Sequence, residues 1–144
     1  MNKLIDKILS RTFCNYLHNQ ATNEEIANFK KTVIEKYDIY VEDQYLNFLS
    51  LLNGFELNGL NFYGTKEQLD KYTLGALNQN EFWRSELTTL KQYYLLADGD
   101  MDFYCYSSIS GQYCVLTKGS LEKMSIFNTF CELMKYLVET YINQ

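Results

Sequence analysis

The chain has 144 residues, 47% apolar and 22% charged, the profile of one globular domain and not of a disordered segment. Thirteen basic against 18 acidic residues give a net charge of −5, which disfavours charge-driven binding to nucleic acid or to an anionic membrane surface. The single histidine (His18) and four cysteines (Cys14, Cys105, Cys114, Cys131) form no zinc pattern, so no metal and no cofactor is expected.

Lys3, Asp6, Lys7 and Arg11 interrupt the apolar residues of the N-terminus. It therefore does not read as a signal peptide, and no stretch is long enough to span a membrane. The expectation is a cytoplasmic protein with free thiols, in which Cys105 and Cys114 face each other across a hairpin as small apolar residues. Proline, low-complexity linkers and repeats are all absent, so residues 1–144 read as a single domain.

Ile5, Leu9, Phe13 and Tyr16 with Leu17 recur at helical spacing and predict a first helix. Thr22 and Glu25 form a capping-box signature, and Ile26, Phe29, Val33, Ile34 and Tyr37 then line one face of a second helix. A third helix starts near Glu42 and Asp43, whose charge suits a helix N-terminus. It carries the stripe Tyr45, Phe48, Leu49 and Leu52, and stops at Gly54. Phe55 to Phe62 reads as a hairpin on an Asn58-Gly59 type I′ turn, with Phe55, Leu57, Leu60 and Phe62 on one face.

Residues 65–86 read as irregular helix, with Thr65 and Gln68 as another capping box. Gly75 and Asn78-Gln79-Asn80 signal a break before a short helix holding Phe82 and Trp83. Three strands follow, at 93–97, 101–107 and 112–117, and a last helix begins near Asn128 or Thr129 with Phe130, Leu133, Met134, Leu137, Val138 and Tyr141 on its apolar face. The class is α+β: a single domain in which an antiparallel meander packs against N-terminal helices and a C-terminal helix.

Catalytic signatures are absent from the sequence. His18 is the sole conventional general base and falls in a polar stretch, and no nucleophile elbow, phosphate-binding loop or zinc-protease motif occurs. Asp98, Asp100 and Asp102 alternate like the start of a calcium loop, but Phe103 stands where the loop needs glycine and Ile109 where it needs glutamate. Between Lys91 and Lys118 there is no Lys or Arg, so these carboxylates set up a local negative field. Tyr104 and Tyr106 beside them supply apolar contact area, and Trp83 and Tyr113 extend the aromatic set. Asp98, Asp100, Asp102, Tyr104 and Tyr106 are therefore the expected partner-binding residues. Phe103 and Cys105, on the opposite side of the strand, are the better core candidates.

Several motifs recur in a recognisable order. They are Tyr45-Leu46-Asn47-Phe48-Leu49, then Asn53-Gly54, then Leu60-Asn61-Phe62-Tyr63-Gly64, then Asn80 with Trp83. Asp98 to Tyr104, Gln112-Tyr113-Cys114-Val115-Leu116 and a final helix from Phe127 and Phe130 complete the series. In this order the chain resembles the SUKH superfamily, which includes a fungal cell-wall assembly regulator and many bacterial immunity proteins, and its YrhA-like branch fits best. The likeness spans about residues 26–137, most of one domain. One departure is Val41-Glu42, where the family usually has Leu-Pro. The resemblance implies a non-enzyme that binds a protein partner, a cognate bacterial toxin such as a basic nuclease, and blocks it stoichiometrically. A regulatory scaffold is the alternative binding role, and an enzyme built on surface carboxylates the alternative of another class.

Overall fold

In the computed structural model, which describes residues 2–11, 20–68 and 73–142, Asn58 and Gly59 take φ of 52° and 87°. Two successive left-handed residues make the type I′ turn, whose twist matches that of paired strands. The turn fixes the register of β1 (Phe55–Leu57) on β2 (Leu60–Phe62), with Phe55 opposite Phe62 and Leu57 opposite Leu60. Phe55, Leu60 and Phe62 are buried, and Leu57 packs half-buried against them.

The hairpin opens a six-stranded antiparallel meander whose spatial order equals its chain order. It continues through β3 (Tyr93–Asp98), β4 (Asp102–Ser107), β5 (Tyr113–Thr117) and β6 (Lys123–Phe127). With helices before, within and after it, the domain is α+β as expected.

Helix α1 (Asn2–Arg11) buries Ile5 and Ile8, while Phe13, Tyr16 and Leu17 lie outside the described residues, as do Cys14 and His18. Helix α2 (Asn23–Tyr37) forms the full capping box. The Glu25 N–H donates to the Thr22 hydroxyl at 3.1 Å, and the Thr22 N–H to the Glu25 carboxylate at 3.2 Å. Phe29 and Val33 are buried and Ile26 and Tyr37 pack beside them, but Ile34 is exposed and leaves the expected stripe. Helix α3 (Asp43–Leu51) buries Tyr45, Leu46, Phe48 and Leu49.

Glu42 gives its own helix no side-chain cap. Its carboxylate instead accepts the Phe130 N–H at 3.1 Å, at the start of α5 (Phe130–Leu137). Thr129 caps the same helix through the Glu132 N–H. A single π turn, Val138–Ile142, ends the described chain.

One face of the sheet meets α3 and α5 in an aromatic knot. Phe62 lies at its centre, 4.9 Å from Phe48, 5.6 Å from Phe55 and 6.2 Å from Phe130 between ring centroids. The other face meets α4 (Ala76–Glu86), whose Trp83 packs edge-on to Phe103 at 5.0 Å. Covered on both sides, β3 buries all six of its residues, so it shows none of the alternation of a half-exposed strand.

Three expectations are corrected. Residues 65–68 and 73–75 form no helix but isolated bridges, Gly64 to Gly75 and Gln68 to Thr73. Thr65 accordingly makes no capping box. Its N–H donates to the Asn53 side-chain oxygen at 2.7 Å, and its hydroxyl accepts from the Asn53 amide at 3.0 Å. Asn78 to Asn80 do not break the helix but lie within α4. The buried Asn80 carboxamide accepts the Leu95 N–H at 2.7 Å and donates to the Leu95 carbonyl at 2.9 Å. These are the bonds a longer β2 would supply, since β2 pairs with β3 only at Ala97 and Asp98. Finally, Phe127 belongs to β6, a strand absent from the sequence reading, whereas the last helix starts as expected, with Thr129 as N-cap and Phe130 as its first residue.

Two predictions follow from this packing. Gly59→Val should cost about 1–2 kcal/mol, the cost of a left-handed side-chain residue, because an added Cβ meets nothing nearer than the Asp100 carboxylate at 3.7 Å. Gly54→Ala should cost clearly more, because its Cβ would fall 2.6 Å from the Gly64 backbone nitrogen and its φ is also positive, at 84°. Denaturant unfolding of the two variants gives the order, and equal costs would refute the close approach.

The second concerns pH. Burial pushes the Tyr45, Tyr94 and Tyr104 hydroxyls above their ordinary pKa of 10.0. The folded state then holds these protons more tightly than the unfolded chain does. Their contribution is intact below about pH 10 and is lost as pH rises beyond it. A thermal midpoint that is level between about pH 7 and 9 and falls above about pH 10 is the expected profile.

Candidate protein-contact surface

The five residues expected to form one contact surface are divided by the fold. Asp98 ends β3 and is buried. Its carboxylate accepts the Tyr63 hydroxyl at 2.8 Å and pairs with the Lys118 ammonium at 2.6 Å. Tyr104 is wholly buried on the α5 side, its hydroxyl 2.6 Å from that of Tyr141. Neither residue offers surface to a partner in this fold. Asp98 sits inside because two donors meet its charge, and Tyr104 because α5 covers its side of β4.

Phe103 and Cys105 are buried as well, so β4 is covered on both faces at its centre. Cys105 and Cys114 are register partners and free thiols, with sulfurs 3.8 Å apart.

What stays outside lies at opposite ends of β4. Asp100 is exposed in the β3–β4 turn, Met101 beside it is 74% exposed, and Asp102 is half-buried. The cation that follows in sequence, Lys118, is committed to Asp98 and lies over the Phe103 and Trp83 rings, at 5.3 and 5.6 Å from their centroids. The acidic turn thus keeps the charge of Asp100 and Asp102 around an adaptable thioether.

Tyr106 is four residues further along β4, about 13 Å from Asp102 at the rise of a strand. There it pairs with Tyr113 across the ladder, ring centroids 5.2 Å apart.

Tyr106 and Tyr113 form one wall of a concavity whose other wall is the segment joining α2 to α3, with Tyr40 and Glu42. Tyr40 is 69% exposed. The floor includes Tyr45 and Tyr94, whose hydroxyls are hydrogen-bonded at 3.1 Å. Burial raises the Tyr113 pKa, and the Glu42 charge raises it further. Burial also raises that of Tyr106, with Tyr40 and Glu42 adding to the effect. The Glu42 carboxylate therefore lies close enough to act on both phenols.

This pit was not read from the sequence. The signal for it was the Tyr106–Tyr113 cross-strand pair, which follows from the β4–β5 register, but Tyr40 and Glu42 reach it only through tertiary packing.

A third polar cluster is held by internal contacts, although the buried Tyr37 hydroxyl has no hydrogen-bond partner among the described residues. Arg84 lies over the Tyr37 ring at 4.5 Å and donates to the Lys91 carbonyl, and Lys36 pairs with Glu81 at 3.5 Å. Among the described residues no group of three or more His, Cys, Asp or Glu is placed to hold a metal ion. No described helix is long and apolar enough to cross a membrane. The sequence matches no protein-family model, and no curated protein matches it closely enough to count as a relative.

Removing the cation from the Asp98 pair should be costly because it strands a buried carboxylate. Lys118→Met is expected to destabilise the fold by about 2–3 kcal/mol, somewhat below a fully buried pair because the lysine keeps some water. Asp100→Asn should leave the unfolding midpoint unchanged, since Asp100 is exposed. Equal midpoints for Lys118→Met and the parent would show that the ion pair carries no structural weight.

Proposed function

We propose that the chain is a non-catalytic, SUKH-like protein-binding domain, an immunity protein that neutralises a cognate bacterial toxin by stoichiometric binding in the cytoplasm. The observation that carries the reading is the Asp100-Met101-Asp102 turn. There an exposed apolar side chain stands between two carboxylates, and Lys118, the next cation along the chain, is already paired with Asp98. An acidic rim around an apolar contact suits a basic partner, such as a nuclease at the surface that grips its substrate.

The motif residues support the same reading indirectly. Tyr45, Phe48 and Leu49 are core, Asn53 holds Thr65, and Asn80 holds Leu95, so the residues that carry the SUKH resemblance are the ones that build this fold. They leave the loops and strand ends free to vary with the partner.

The test is a titration against the toxin encoded beside the gene. Protection should saturate at one equivalent, and His18→Ala should protect as well as the parent. Asp100→Lys combined with Asp102→Lys should slow association at low salt by about tenfold or more, flatten its salt dependence and leave the thermal midpoint nearly unchanged. Protection far below one equivalent would replace the binding reading with catalysis.

A further inference from the structure

We propose that the pit formed by Tyr40, Glu42, Tyr106 and Tyr113 is a receptor for a single lysine ammonium presented by a protein partner. Three features converge on that ligand. The walls carry phenol rings: Tyr40, Tyr106 and Tyr113 line the cavity, and Tyr106 and Tyr113 stand in an edge-on pair at 5.2 Å. Aromatic faces attract a cation, and more strongly where water is excluded. Glu42 supplies a formal negative charge at the rim. One of its oxygens accepts the Phe130 N–H, and among the described residues no lysine or arginine pairs with it.

The third feature is size. The concavity has room for about one water-sized group. An ammonium has that size, and the buried Tyr45 and Tyr94 are among the residues lining that space. A planar guanidinium is too broad for the floor and would stay at the mouth. The pit therefore selects lysine over arginine, while the four-carbon stem of the lysine runs past the exposed ring of Tyr40.

The identity of the occupant as part of a protein rests on the binding function proposed above, but the chemistry of the pit is tested without the toxin. The probe is Nα-acetyl-lysine N-methylamide, titrated at constant ionic strength into protein carrying ¹³C-labelled tyrosine. The arginine and norleucine counterparts serve as controls. The ring signals of Tyr40, Tyr106 and Tyr113 should shift saturably with the lysine probe. Binding should be about tenfold weaker with the norleucine probe, which lacks the charge, and weaker with the arginine probe.

Glu42→Gln keeps an oxygen for the Phe130 N–H while removing the charge. It should weaken the lysine probe by about fivefold or more with the α5 amide signals unchanged. Tyr40→Leu, at an exposed ring, gives a second variant with the same expected direction. Equal shifts from the lysine and norleucine probes, or unaltered lysine binding in both variants, would overturn the proposal. Lysine binding without any protection against a toxin would leave the pit standing and remove the immunity function instead.

Discussion

The fold depends on the contact where the end of α3 meets the end of β2. The Asn53 carboxamide takes both polar groups of Thr65, its oxygen accepting the N–H at 2.7 Å and its amide donating to the hydroxyl at 3.0 Å. These bonds close only because Gly54 and Gly64 let the two backbones touch. A Cβ on Gly64 would fall 2.5 Å from the Asn53 carbonyl oxygen, and one on Gly54 would fall 2.6 Å from the Gly64 nitrogen. The helix that feeds the aromatic knot and the hairpin that roofs it are thereby set at a fixed angle. The Gly64 carbonyl then accepts the Ala76 N–H, which passes the same constraint on to the start of α4. One contact thus places the layers on both faces of the sheet.

Covering both faces has a cost in polar groups, and the structure meets it with side chains that act as backbone. Asn80 completes the ladder of β3 where β2 has ended, and Asp98 is admitted to the interior because Tyr63 and Lys118 meet its charge. A buried carboxamide or carboxylate without such partners would cost several kcal/mol, of the order of a small domain's whole stability. The same logic explains Glu42. Freed from capping its own helix, it anchors the first amide of α5 and so ties the α2–α3 segment to the C-terminal helix.

Where a local signal was self-sufficient, the sequence was enough to read the fold. Thr22 with Glu25, Asn58 with Gly59 and the stripe on α3 each contain in a few residues the chemistry that decides the element, and all three form as read. The failures share the opposite property. Thr65 and Gln68 have the letters of a capping box, but Asn53, far away in sequence, binds Thr65 first. Asn78 to Asn80 have the composition of a turn, yet helix is retained there because Asn80 is paid back by Leu95. Strand β6 leaves three of its five residues exposed, so it lacks the buried alternation that marks a strand. The candidate site was legible only in part. Charge along the sequence identified the acidic turn, but it could not show that Asp98 would be neutralised by a lysine twenty positions on, nor that Tyr104 would point under α5.

Strand β4 also explains why the exposed remainder divides into two zones. Its centre is covered on both sides, so side chains reach solvent only towards its ends, with Asp100 to Asp102 at one and Tyr106 at the other. The separation along the strand, about 13 Å, exceeds the range of roughly 7–10 Å within which substitutions usually couple. The zones differ in physics as well. The acidic turn is open to water and its field is screened by salt, so under the proposed binding function it would set the salt-dependent approach of a charged partner. The tyrosine pit is partly enclosed and acts only at short range, so a group entering it would be held by contact. A β-strand buried on both faces at its centre lies between them, so each zone can change without disturbing the core that joins them.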